Sequence, residues 1–176
     1  MLPNTKVKLM ERLLKMVITE FKKVNKMQGI DFSKRLNDLV SRYNDRSDSA
    51  VFVDDVITEV ASQMADLLRD INAEKKSFLS LGITFEEKAF YDILKAIARQ
   101  FNFEYPEDKL LALSAEIRKI VDDKSQYTDW ANQKDIKAKL KMDLILLLAR
   151  YGYPPATNDK VFKAIFEQAE NFKKYS

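Results

Sequence analysis

The sequence predicts an all-α protein of about seven helices in a compact irregular bundle, with no sheet. Three observations carry this. Apolar residues recur at steps of three and four along nearly the whole chain, the period of a helix with one buried face. No segment alternates apolar and polar residues at a step of two between turn residues, as a half-buried strand would. The punctuation agrees, because three Gly and four Pro all fall near predicted helix ends.

Taken in order, Val7, Met10, Leu14, Val17, Phe21 and Val24 predict a first helix over 4–27, stopped by Gly29. Phe32, Leu36, Leu39, Val40 and Tyr43 predict a second, with Asp31 as its N-cap. Asn44-Asp45-Arg46-Ser47-Asp48 is a polar break. Val53, Val56, Ile57, Val60, Met64, Leu67, Leu68 and Ile71 then mark a long helix over 50–79, and Gly82 ends that segment. Thr84-Phe85-Glu86-Glu87 reads as a capping box, in which the Thr84 hydroxyl accepts from the Glu87 N–H and the Glu87 carboxylate reaches back. The helix it opens carries Phe90, Ile93, Leu94, Ile97 and Phe101.

Pro106 suits a first helical position, where its missing N–H costs nothing. Glu107 and Asp108 follow at the positive end of the helix dipole. Leu110, Leu113, Ile117, Ile120 and Val121 form that helix's buried face. The next helix runs from Asp129 to Tyr151. Lys134, Lys137 and Lys141 form one stripe on it, and Ile136, Leu140, Leu144, Leu147 and Tyr151 form the other face. Leu144-Ile145-Leu146-Leu147-Leu148 is apolar all round, which predicts burial on most sides. In Tyr151-Gly152-Tyr153-Pro154-Pro155, Gly152 can take the left-handed conformation and the prolines forbid continuation. Asn158 or Asp159 can cap a last helix carrying Val161, Ile165, Phe166 and Phe172.

The 176 residues are expected to form a single helical domain over 1–176, with a soft division near Gly82. At 46% hydrophobic the chain can bury a sizeable core. Its net charge of +3 gives no electrostatic argument for nucleic acid. Zero Cys removes disulfides and thiol nucleophiles, and zero His removes imidazole bases and ordinary zinc sites. A signal peptide is not expected, since Met1–Lys15 alternates apolar with charged residues. The longest apolar run, Leu144–Ala149, is far short of the roughly 20 residues that span a bilayer. A cytoplasmic protein without membrane contact is the expectation.

No catalytic motif is visible. Pro106-Glu107-Asp108-Lys109 has the acidic-plus-lysine flavour of a nuclease, but consecutive residues fan out around a helix start instead of converging on a metal. The same geometry makes Asp54-Asp55, Glu86-Glu87 and Asp122-Asp123 solvated surface. There is no phosphate-binding Gly-rich loop. Catalytic, cofactor and metal residues are therefore assigned to none. The candidate contact residues are Lys134, Lys137 and Lys141, for DNA phosphate or an acidic partner, and Trp130, as an interface anchor.

Three blocks resemble, in order and spacing, the C-terminal region of the restriction (R) subunit of type I restriction enzymes. They are Arg42-Tyr43-Asn44-Asp45-Arg46 with the helix around Val56-Ile57, then Leu81 through Leu94, then Asp129-Trp130 through Lys137-Ala138-Lys139-Leu140 to Tyr151-Gly152-Tyr153-Pro154-Pro155 and Phe166-Glu167-Gln168-Ala169-Glu170. Gln133-Lys134 departs from the Arg-Glu pair of many relatives. The resemblance implies the helical C-terminal piece of a larger subunit, lying beyond a nuclease domain and two ATP-driven translocase domains. Its implied work is docking to the methyltransferase and specificity subunits, with duplex DNA contact through the lysine stripe as the alternative. The chain itself is expected to hold no cofactor and to be no enzyme. ATP and Mg²⁺ are implied only for the parent, an ATP-dependent site-specific deoxyribonuclease.

Overall fold

A computed structural model describes residues 3–45, 53–124, 134–154 and 159–175. Among these residues it holds seven α-helices and no strand: α1 Pro3–Val24, α2 Lys26–Asn44, α3 Val53–Glu74, α4 Phe85–Gln100, α5 Glu107–Lys124, α6 Lys134–Arg150 and α7 Asp159–Tyr175. A 3-10 turn over Ser77–Leu81 precedes α4. The chain divides into two compact units. One comprises 1–22 and 28–77, and the other comprises 23–27 and 78–176.

In the first unit most predicted apolar positions are core, while Met10 and Val17 are half-buried and Ile18, outside the predicted stripe, is buried. Val7, Leu14, Ile18 and Phe21 of α1, Phe32, Leu36 and Leu39 of α2, and Ile57, Val60, Met64, Leu67 and Ile71 of α3 are all buried. The Phe21 and Phe32 rings meet edge to face, 5.3 Å apart, a favoured aromatic geometry. Arg35 pairs with Asp70 at 2.6 Å and Arg42 with Glu59 at 3.0 Å, tying α2 to α3 at the surface. The Tyr43 hydroxyl donates to Asn4 Oδ1 at 2.7 Å.

The first helix break differs from expectation. The chain leaves helical geometry at Asn25, so Gly29 is the fourth residue of α2 and Asp31 lies inside that helix, not at its cap. Gly29 serves close approach instead of termination. A Cβ placed there would lie 2.3 Å from Lys22 Cγ and 3.0 Å from Lys22 Cα. Periodicity could not show this, because a buried glycine inside a helix and a stopping glycine look alike in sequence. The long third helix is also shorter than expected. It ends at Glu74, where the Ser77 hydroxyl donates to the Glu74 carbonyl at 2.7 Å. Gly82, with φ +68°, follows the 3-10 turn.

In the second unit α4 packs on α5 and α7, and α5 packs on α6 and α7. The core comprises Phe90, Ile93, Leu94, Ile97, Leu110, Leu113, Ile117, Leu140, Leu144, Leu147, Tyr153, Ile165 and Phe172 among others. The Thr84–Glu87 capping box is present in both directions, with the Glu87 N–H 3.1 Å from Thr84 Oγ1 and the Thr84 N–H 3.3 Å from Glu87 Oε2. Helix α5 begins at Glu107, and the Pro106 carbonyl accepts from the Leu110 N–H at 3.0 Å.

Helices α4 and α6 end in the same way. At the end of α6 the Tyr153 N–H donates to the Leu148 carbonyl at 2.9 Å and the Gly152 N–H to the Ala149 carbonyl at 3.0 Å, with Gly152 at φ +64°. That is a Schellman cap, which satisfies carbonyls the helix itself cannot. At the end of α4, Asn102 takes the left-handed position at φ 54°, and the Phe103 N–H reaches the Ala98 carbonyl at 3.0 Å. The sequence signalled the first stop through Gly-Tyr-Pro-Pro. The Asn102 cap carried no such punctuation.

The expectation that Leu144–Leu148 is buried on most sides is corrected. Leu144, Leu147 and Leu148 are buried, but Leu146 is 56% exposed, as is Met142 one turn earlier. Among the described residues, α5 and α7 flank the buried side of α6, and Met142 and Leu146 lie on its other side.

Candidate functional site

Of the four candidate contact residues, Trp130 lies outside the described residues. Lys134 is exposed at the first position of α6. Lys137 and Lys141 lie on the flank of α6 toward α7, as their spacing of four requires. The Lys137 ammonium stands 3.4 Å from Glu170 Oε1 of α7. The Lys141 ammonium lies 5.4 Å from the centre of the Phe166 ring, a cation–π contact. The stripe is thus engaged by α7 at two of its three positions.

Between the helices runs a shallow groove. Its α6 wall carries Lys137, Leu140, Lys141 and Ile145, and its α7 wall Phe162, Lys163, Phe166, Glu167 and Glu170. The Phe162 and Phe166 rings stack at 6.5 Å with 23° between planes. Its lining mixes apolar side chains with lysines and glutamates. Beyond the α6 wall, Met142 and Leu146 extend the apolar surface onto the open side of the helix. Met142, Leu146, Phe162 and Glu170 went unnoticed as site residues in the sequence. The available signal was that positions 142 and 146 are four apart and opposite the core stripe.

A second constellation is buried in the same unit. Asn25, Lys88, Asp92 and Gln168 are between 1% and 8% exposed. Asp92 accepts from Asn25 Nδ2 at 2.8 Å on one oxygen and from Lys88 Nζ at 2.5 Å on the other. Gln168 accepts the Lys26 N–H at 3.1 Å and donates to the Val24 carbonyl at 2.7 Å, and Asn171 donates to the Lys23 carbonyl at 3.3 Å. These side chains supply partners to backbone groups freed where α1 stops and α2 starts. Nothing in the sequence singles these residues out, because the i,i+4 spacing of Lys88 and Asp92 does not reveal burial.

At the start of α5 the Tyr91 hydroxyl donates to Glu107 and accepts from Lys95 Nζ, the latter at 3.0 Å. Burial, and then the bond to Glu107, pushes the Tyr91 phenol above its ordinary pKa. The bond to Tyr91 raises Lys95 as well. Glu107 and Asp108 lie in the first turn of α5. Among the described residues no three acidic side chains converge to hold a metal ion. No described helix is long and apolar enough to cross a membrane.

Comparison with known proteins shows the family. The model of a family described as type I restriction enzyme HindI endonuclease subunit-like, C-terminal, matches residues 1–175. A protein of Methanocaldococcus jannaschii named for the endonuclease subunit of the type I restriction enzyme MjaIXP is 26% identical over 144 residues, covering 80% of this chain and 13% of that protein. The type I restriction enzyme HindI endonuclease subunit of Haemophilus influenzae is 27% identical over 168 residues, covering 95% of this chain and 15% of that protein. The chain therefore spans only 13% to 15% of the length of these curated relatives. No solved structure matches.

Proposed function

Because the chain belongs to the family of C-terminal regions of HindI-like type I restriction endonuclease subunits, we propose that it is a docking module. On this reading it holds a nuclease–translocase subunit to a methyltransferase–specificity core during ATP-dependent DNA restriction. ATP, Mg²⁺ and bond cleavage belong to other domains of that subunit, and this chain contributes placement. The observation that carries the reading is the open side of α6, where Met142 and Leu146, four residues apart, are each 56% exposed. Burying such a side chain contributes about 1.5–3 kcal/mol, so a second protein surface has much to gain there. Rigid helices hold these groups at fixed spacing.

The alternative, a DNA contact through Lys134, Lys137 and Lys141, is less favoured. Glu170 sits beside Lys137, and Lys141 lies over Phe166. A phosphate backbone would meet carboxylates and apolar rings along with the lysines. Capture of the cognate methyltransferase and specificity subunits by the immobilised chain tests the docking reading. Capture by wild type and its loss in Met142→Asp/Leu146→Asp support it. Failure of wild type to capture them, where the full-length subunit assembles, removes it. Salt-dependent duplex binding, lost when the three lysines become Glu, would favour the alternative.

A further inference from the structure

The first unit carries an apolar strip on the side of α1 that faces away from its core. Leu9 is 46% exposed, Leu13 43% and Met16 68%. Their spacing of four and three places them on one line along the helix. Val7, Leu14, Ile18 and Phe21, on the opposite side, are buried. Helix α1 is therefore apolar on two sides, and its own unit uses one. Lys6, Lys8 and Arg12 flank the strip and are exposed. A shallow trough at its head is lined by Lys6, Leu9, Met10 and Leu13. Lys15 is paired with Glu11 at 2.8 Å. Along the whole helix six Lys or Arg stand against two Glu.

We propose that this strip is a docking face for an acidic amphipathic helix of another domain or subunit. The partner's apolar ridge would lie along Leu9, Leu13 and Met16, and its carboxylates would meet Lys6, Lys8 and Arg12. The charge pattern selects this occupant. A second copy of α1 would set two basic helices side by side, and like charges at close range oppose association. Duplex DNA satisfies the lysines but leaves Leu9, Leu13 and Met16 against water. A bilayer takes a broader apolar face with aromatic anchors, whereas this strip is one residue wide and has none. A helix ridge with anchors at steps of four and three fits its width. The face is separate from the open side of α6, so this inference does not depend on that surface being the docking site.

The test uses the full-length endonuclease subunit assembled with its partner subunits, treated with a carbodiimide that joins lysine amines to touching carboxylates. Lys6 and Lys8 are expected to cross-link to Asp or Glu of a helix outside this chain. Leu9→Asp/Leu13→Asp, and separately Arg12→Glu, should cut that yield at least about tenfold, the loss typical of removing interface anchors. Thermal unfolding of each variant should match wild type, since the altered side chains lie outside the core. Cross-links confined to this chain's own carboxylates, or a yield unchanged in the variants, overturn the proposal. So does binding of wild type to phosphatidylserine-containing vesicles or to duplex DNA that Leu9→Asp/Leu13→Asp abolishes. The Lys6 and Lys8 cross-links are scored in assemblies with wild-type α6, and Met142→Asp/Leu146→Asp is read only for capture of the partner subunits, which separates failure at α6 from failure here.

Discussion

Asn25 and Asp92 are 67 residues apart in sequence, and the Asn25 amide donates to Asp92 Oδ2 at 2.8 Å in a buried site. The other Asp92 oxygen holds the Lys88 ammonium, whose side chain is 8% exposed. Removing one partner of a buried pair strands the other charge. Asp92→Ala should therefore cost about 3–5 kcal/mol in urea unfolding, whereas Lys88→Met/Asp92→Leu, which strands no charge but takes the acceptor from Asn25 Nδ2, should cost less, about 1–3 kcal/mol. Equal losses in the single and double variants would show that Lys88 is not held by Asp92.

The Tyr153 hydroxyl donates to the Leu94 carbonyl at 2.6 Å, and its ring meets Phe103 and Tyr105 edge to face at 5.5 and 5.2 Å. Tyr153→Phe keeps the packing and leaves a buried carbonyl without this donor, so a loss of about 1–3 kcal/mol is expected. Tyr153→Ala should cost more, about 3–5 kcal/mol, because it also opens a cavity.

The same residue predicts alkaline behaviour. Burial, with a smaller push from Tyr105, raises the Tyr153 phenol above its ordinary value of 10.0. Tyr91 and Tyr105 are raised too, first by burial. The folded state thus resists a deprotonation that the unfolded chain accepts. Stability from these groups is full below pH about 10 and falls as pH climbs beyond it. Denaturant midpoints measured between pH 8 and 11 should fall more gently in Tyr153→Phe than in wild type, if wild type is scaled to the same starting stability.

Two glycines should respond to Ala for different reasons. Gly29→Ala puts a Cβ 3.0 Å from backbone Lys22 Cα, and overpacking of this kind costs about 1–3 kcal/mol despite the better helix propensity. At Gly152 nothing lies within 4 Å, but φ is +64°. Gly152→Ala should cost about 1–2 kcal/mol from backbone conformation alone. Gly152→Asn should recover part of that, while Gly29→Asn should not.

On the surface of α6 the expected pattern reverses. Met142→Asp/Leu146→Asp should leave the melting temperature within a few degrees of wild type, since both side chains are 56% exposed, yet abolish capture of partner subunits. Lys137→Ala, which breaks a surface pair with Glu170, should change stability by less than about 1 kcal/mol. A large loss of stability in either variant would mean that these positions serve the fold.

Much of the fold was legible because burial leaves a period. The stripes from Val7 to Phe21 and from Ile57 to Ile71 are core as their spacing requires, and Thr84 and Glu87 cap α4. The first break was misplaced at Gly29, since glycine stops helices and also admits close neighbours. The site was less legible. Lys137 and Lys141 share a stripe, but nothing local says that Glu170 and Phe166 face them. Trp130 lies outside the described residues.

By itself, then, the sequence determined the class, the helix count, the main buried stripes and the family, because periodicity, caps and motif order are properties of neighbours along the chain. Tertiary structure decided which polar residues are interior and which apolar residues are left outside. Lys88 and Asp92 become a buried pair because Asn25, far away in sequence, closes over them within the second unit. Leu146 stays exposed because no described helix of that unit covers its side of α6. Burial depends on what arrives from elsewhere in the chain, and no local pattern records that arrival.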